Sequence, residues 1–219
     1  MPTARAKPKR GMDRQAIVEA AFAMIAEAGE ADFSLRKLAS RVGVDPMTVL
    51  YHVKSKDELL RAVADMALAT IELPAAAGDW RADLRRVAVA YRDLARRHPR
   101  VFPLHFRYYA TGPADYRLGE TVYAALVRAG LSDAQASRLG LAFYTFILGF
   151  ALSQISGLVG PASADEVLEL EALAAEKFPI TRRLIPAFVD FDADLAFTEA
   201  IDAVLDGIAR QAAALPPPA

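Results

Sequence analysis

Arg36, Lys37, Thr48, Tyr51, His52 and Lys56 set guanidinium, ammonium, hydroxyl and imidazole groups close together in one short stretch of the 219-residue chain. Groups of this kind hydrogen-bond base edges and phosphate oxygens. Bond-making chemistry asks for something else: a nucleophile beside its base, an acid/base pair, or a metal cluster. The remaining histidines do not supply it. His98 and His105 are seven apart, but Pro99 and Pro103 break any shared helical face, and Arg100 and Arg107 make the neighbourhood poor for a cation. There is no phosphate loop, no dinucleotide fingerprint and no cysteine. We therefore expect no catalytic residue, metal or cofactor.

The elements that must hold the first group are short helices. Ser34 caps one whose apolar positions Leu35, Leu38, Ala39 and Val42 form a single face. Gly43 ends it at a position suited to left-handed backbone. Asp45 caps the next helix and Pro46 opens it, where a missing N–H does no harm. At about 100° per residue, Val49 and Val53 share a core-side face with Pro46, while Met47, Thr48 and Tyr51 point away and Leu50 and His52 flank. Ser55 and Glu58 read as a capping box for a further helix, with Lys56 at its phosphate-friendly N-terminus. Met12 to Ala28 supplies a supporting helix with Ile17, Ala21, Met24, Ile25 and Ala28 on one stripe. Two helices about a glycine turn, with a polar and apolar mixture facing outward, make a helix-turn-helix that enters the major groove of DNA.

From about Met12 to Ile71 the chain resembles the TetR family of bacterial repressors. The matching residues are Arg36-Lys37-Leu38-Ala39, Gly43-Val44, Thr48, His52-Val53 and Lys56. The resemblance implies that Arg36 reaches a base edge or phosphate, and that Thr48, Tyr51, His52 and Lys56 carry most of the other contacts. Lys37, Pro46 and Met47 complete the expected DNA-facing set. One departure stands out. The family usually has a leucine and a tyrosine where this chain has Val49-Leu50, with Tyr51 one place later, so Leu50 is read as a stabilising residue.

Composition sets the bounds. A hydrophobic content of 54% is ample for a sizeable core, and the absence of cysteine fits a reducing bacterial cytoplasm, where such a protein would sit on the nucleoid. The net charge of −1 is uneven: residues 1–61 hold 11 Lys/Arg against 8 Asp/Glu, and the excess of acid lies beyond them. Arg5, Lys7, Lys9 and Arg10 make residues 1–11 a basic arm suited to phosphates or a minor groove, or simply a solubilising tail. The longest apolar run, Leu139 to Leu152, is 14 residues and reads as too short for a bilayer.

The expected fold is all-α: a helix-turn-helix domain over 12–72 and a larger helical domain over 79–214. In the second, helical spacing marks Trp80–His98, a short broken helix over Arg100–Tyr109, Pro113–Ala129, Ser132–Gly157, a short helix from Ser163 to Lys177, and Asp194–Ala214. Phe178–Phe191, with Pro179 and Pro186, reads as loop. The Ser132–Gly157 helix carries two apolar stripes and needs partners on both sides. His105, Phe106, Tyr109, Phe143, Phe146, Ile147 and Phe150 are the expected effector-pocket residues. Leu141, Leu148, Leu152 and Ile155, with Phe197, Ile201, Val204, Leu205 and Ile208 of the last helix, are the expected dimer contact.

This half is also similar to the tetracycline-repressor branch, through Trp80 with Asp83-Leu84, Ala129-Gly130-Leu131-Ser132, Leu148-Gly149-Phe150 and Phe191. The resemblance implies a small effector, a four-helix dimer contact, and a histidine near His105 that in that branch holds a metal–drug chelate. The expected function is a homodimeric, ligand-responsive regulator, a repressor released from a palindromic operator by an effector. The competing reading is a helical small-molecule binder or enzyme with a non-functional helix-turn-helix.

Overall fold

A computed structural model of the chain describes residues 13–73, 78–108 and 110–213. The expected basic arm, residues 74–77, Tyr109 and residues 214–219 lie outside the described residues. All regular elements among the described residues are helical. The described residues of Met1–Glu72 and Arg97–Arg117 form one compact unit, and those of Leu73–Arg96 and Leu118–Ala219 form another.

The first unit contains α1 (Arg14–Ala28), α2 (Leu35–Val42), α3 (Pro46–Val53), α4 (Lys56–Ala69), a 3-10 helix (Phe102–Phe106) and the first turn of α6 (Pro113–Arg128). Its core is built from Ile17, Ala21 and Ile25 of α1, Leu38 and Ala39 of α2, Val49 and Val53 of α3, and Leu59, Leu60, Val63 and Ala67 of α4. The expected boundary differs here: residues 97–117 fold with the DNA-reading helices rather than with the larger half. The reason lies in partners far apart in sequence. Arg107 pairs with Glu30 at 2.5 Å, the Arg100 guanidinium donates to the Glu27 carbonyl, and the Tyr108 hydroxyl donates to the Asp57 carboxylate at 3.1 Å. His98 packs edge-on to Phe22, with ring centroids 5.1 Å apart.

The second unit holds α5 (Trp80–Arg97) up to Arg96, the rest of α6, α7 (Asp133–Ile155), α8 (Ala164–Glu171), α9 (Pro179–Arg183), α10 (Ile185–Val189) and α11 (Ala193–Ala213). Leu84, Val87, Ala88, Tyr91 and Leu94 of α5, Phe143, Ile147 and Ala151 of α7, and Ile201 and Leu205 of α11 are buried. Two buried charges are compensated, as a low-dielectric interior requires. Asp83 accepts from Arg86 and Arg128. Arg92 donates to Gln154 Oε1 at 2.8 Å and to the Ala193 carbonyl at 3.0 Å, pairs with Asp194, and lies 4.5 Å over the Phe197 ring. Hydrogen bonds from Arg96, then from Arg92, hold the Asp194 carboxyl below its ordinary range.

The structure departs from the sequence reading in three further places. Phe178–Phe191 is not a loop: Pro179 is the first residue of one short helix and Pro186 the second residue of another, because proline is compatible with a first helical turn. The helix opened by the Ser163–Glu166 capping box ends at Glu171 and does not reach Lys177. α7 is 23 residues, so the helix as a whole, unlike the 14-residue apolar run within it, is long and apolar enough by length and composition to cross a membrane. A third of its most apolar window (33%) is buried, in the protein core.

Candidate functional site

The reader is assembled by caps that the sequence supplies locally. Ser34 Oγ accepts from the Lys37 amide at 3.2 Å. Gly43 closes α2 in the left-handed region (φ 73°, ψ 36°), and the Val44 amide reaches back to the Ala39 carbonyl at 3.0 Å. Asp45 accepts from the Met47 amide at 2.8 Å, and Ser55 from the Glu58 amide at 3.0 Å. The turn between these caps packs α2 on α3, with Val49 and Val53 at 0% and 1% exposure.

That orientation decides what α3 shows to solvent. Met47 is 69% exposed and Tyr51 is 84% exposed, the latter held edge-on against His52 with ring centroids 5.4 Å apart. Pro46, Thr48, Leu50 and His52 are half-buried; Arg36, Lys37 and Lys56 are exposed. The structure thus brings all the expected DNA-facing residues onto α2, α3 and the start of α4. Lys37 Nζ donates to the Asp32 carbonyl at 2.8 Å. Lys56 Nζ donates to the Phe33 carbonyl at 3.4 Å and lies 5.7 Å above the Phe33 ring, which orients an exposed ammonium at the α4 N-terminus.

Sequence reasoning did not single out Lys54. It is the one non-glycine residue with positive φ among the described residues (φ 60°, ψ −46°). The Ser55 amide donates to the Val53 carbonyl at 2.7 Å across it, so Lys54 is the centre of a strained γ-turn. The turn lets α4 begin immediately after α3. No sequence signal marks it, because lysine has no preference for that backbone region.

The expected effector residues fall into distinct environments. In the first unit, His105 is 1% exposed, and neither ring nitrogen has a hydrogen-bond partner among the described residues. Burial pushes its pKa down to about 4, so the ring is neutral at physiological pH. Its neighbour Phe106 is 46% exposed and does not share that enclosure. In the second unit, Phe143 and Ile147 are buried, while the half-buried Phe146 and Phe150 form an aromatic chain with Phe197 at centroid distances of 6.2 and 5.2 Å. Among the described residues no group of His, Asp and Glu gathers that could hold a metal ion.

The expected dimer residues divide as well. Leu148, Phe197, Ile201, Leu205 and Ile208 are 0–3% exposed within the single chain, so they pack mainly into its own core. Spacing alone could not separate them from surface positions, because a helix covered on two sides is apolar on both. Leu141 is 48% exposed, and Leu152, Ile155 and Val204 are half-buried. A shallow groove of about 180 Å³ runs between α7 and α11, lined by Leu139, Ala142, Phe143, Phe146, Val204, Gly207, Ile208 and Gln211.

A capped glycine turn that seats an apolar and hydroxylic helix face outward, alongside a separate helical unit, defines a helix-turn-helix regulator. The tetracyclin repressor-like C-terminal domain family matches residues 73–212, and the bacterial regulatory proteins, tetR family, match residues 17–63. The chain belongs to the TetR family, with a tetracyclin repressor-like C-terminal domain. It is 28% identical over 205 residues to the tetracycline repressor protein class A from transposon 1721 of Escherichia coli, covering 89% of each. It is 30% identical over 156 residues to the HTH-type transcriptional repressor DrrR1 of Streptomyces coeruleorubidus, covering 70% of this chain and 57% of the relative. Apo ActR from Streptomyces coelicolor superposes with a TM-score of 0.83 at 25% identity, over 94% of this chain and 98% of ActR. ActR in complex with actinorhodin gives 0.83 at 26% identity, over 92% and 99%. As a member of this family the protein is a ligand-responsive, DNA-binding transcriptional repressor whose partners are operator DNA, a small-molecule effector and a second copy of itself.

Proposed function

We propose that this protein, acting in the bacterial cytoplasm without catalytic activity, represses transcription by setting two α3 helices in successive major grooves of a palindromic operator. Thr48, Tyr51, His52, Met47 and Pro46 of α3 and Arg36 of α2 face the bases; Lys37 and Lys56 face phosphates. The effector is a flat aromatic molecule of modest size carrying a hydrogen-bonding group. The observation that carries the effector half is His105, a neutral imidazole with both nitrogens buried and unmatched among the described residues, which is costly unless a ligand matches it. Relatives named for tetracycline and a neighbour seen with actinorhodin support the aromatic class. The dimer contact is the outer face of α7 around Leu141, Ala142, Thr145 and Leu152, with Val204 of α11.

Release of DNA requires that the effector bind the DNA-free arrangement more tightly than the DNA-bound one. The test is a titration of the full chain on duplex DNA from upstream of its own coding sequence, at two salt concentrations, with and without tetracycline or actinorhodin. Sequence-specific binding that is relieved by one of these compounds, and no longer relieved in His105→Phe, supports the reading. Binding no tighter than to random duplex sinks the operator assignment. Release that persists unchanged in His105→Phe sinks the effector assignment.

A further inference from the structure

A cleft of about 690 Å³ opens in the first unit between α1, α4 and residues 111–113. Its size falls among small-molecule sites. Every residue that lines it belongs to that unit, and His105 is not one of them. Val18 of α1, with Ala62 and Met66 of α4, supplies apolar wall. Two arginines on different helices line it as well, Arg14 of α1 and Arg61 of α4. Neither has an ion-pair partner among the described residues. Arg14 is the first residue of α1, where the helix dipole adds to its charge instead of offsetting it. Arg61 lies 4.9 Å over the Tyr108 ring, a contact that holds the cation without taking up its fork of N–H donors.

The carboxylates in the cleft stand differently. Asp65 accepts the Ala114 and Asp115 amides, and Asp57 accepts the Tyr108 hydroxyl at 3.1 Å. Asp57 and Glu58 sit in the first turn of α4, whose free amides offset negative charge. The acids are thus matched locally, while the two guanidiniums are not. We infer that this cleft is a second ligand site, within the DNA-reading unit and separate from the one assigned to His105, and that it takes a small organic monocarboxylate with an aryl or acyl body. The carboxylate is held by the Arg14 and Arg61 forks, the geometry those donors match best. The apolar body rests on Val18, Ala62 and Met66. The neighbouring Asp57, Glu58 and Asp65 disfavour a second negative charge, which selects a carboxylate over a phosphate monoester.

The test is calorimetric titration of the full-length protein with 4-phenylbutyrate, the neutral 4-phenylbutanol and 4-phenylbutyl phosphate. The carboxylate should bind saturably and at least about tenfold tighter than the alcohol, the worth of one charge-assisted hydrogen bond. Arg14→Gln and Arg61→Gln should each weaken it by about tenfold. Arg14 is exposed, so its variant should melt with wild type; it decides the matter if Arg61→Gln, which also loses the Tyr108 contact, melts lower. His105→Phe should leave the affinity unchanged. No saturation up to the solubility limit of the carboxylate, or equal affinity for the alcohol, overturns the site. Binding that survives Arg14→Gln and is lost in His105→Phe places the probe at the effector position and also overturns it. Tighter binding of the phosphate overturns the ligand class. None of these outcomes bears on operator binding, which is measured separately.

Discussion

Asp65, in the middle of α4, caps a helix nearly fifty residues away: its Oδ1 accepts the Ala114 amide at 3.0 Å. The same oxygen accepts the Asp115 amide at 3.1 Å, so one carboxylate takes up two of the free N–H groups that begin α6. The fit is close. A methyl group on Gly112 would lie 2.6 Å from the Asp65 carboxyl carbon. Since 113–117 fold with the reader and the remainder of α6 with the second unit, this cap ties the start of that helix to α4.

Asp65→Ala should lower stability by about 1 kcal/mol, the usual cost of losing a cap. Asp65→Asn, which keeps an accepting oxygen, should retain most of it. Gly112→Ala should destabilise at least as much as Asp65→Ala, since it pushes the carboxylate off the amides. Urea midpoints of the three variants check this; equal midpoints for wild type and Asp65→Ala would show that the cap carries no weight.

His105 gives a pH dependence with a definite sign. Its folded pKa of about 4 lies below the ordinary value of 6.5, because burial disfavours the charged ring. Between these values the unfolded chain binds the extra proton and the folded chain does not. Stability therefore falls as pH drops from about 6.5 to about 4 and is flat above, by about 3 kcal/mol in full. His98, also lowered by burial, adds a smaller slope of the same sign. Urea midpoints at pH 7 and pH 5 should differ more for wild type than for His105→Phe; identical differences would refute the assignment.

Lys54 should separate stability from DNA contact. Glycine at its positive φ relieves a backbone that lysine tolerates poorly, so Lys54→Gly should raise stability by up to about 1 kcal/mol. The same change removes an exposed ammonium beside the reader, and the slope of log affinity against log salt should fall by about one. A variant that is less stable than wild type, or one whose salt slope is unchanged, would contradict the corresponding half.

Leu205 and Leu141 should behave as core and contact. Leu205 is fully buried in the single chain, so Leu205→Ala should cost about 2–5 kcal/mol of folding stability. Leu141 is half exposed on the outer face of α7, so Leu141→Glu should fold normally, sediment as a monomer and lose operator affinity. A folded Leu141→Glu variant that remains dimeric would remove this face from the interface.

Much of the reader was determined by sequence alone. Ser34, Gly43, Asp45, Pro46 and Ser55 each act on backbone within a few residues of themselves, so their types and spacing specify where helices start and stop. Once the turns are placed, the face carrying Val49 and Val53 must be core and the face carrying Met47 and Tyr51 must be open. Tertiary structure decided what depends on distant partners. That 97–117 belongs with the reader follows from Arg107–Glu30, Tyr108–Asp57 and Asp65–Ala114, pairings with no local signature. Which stripe of α7 and α11 is core was undecidable from periodicity, because the pattern records that a face is apolar, not what covers it. Only packing placed Leu205 inside and left Leu141 at the surface, and only the three-dimensional chain path forced Lys54 into a conformation that its side chain does not favour.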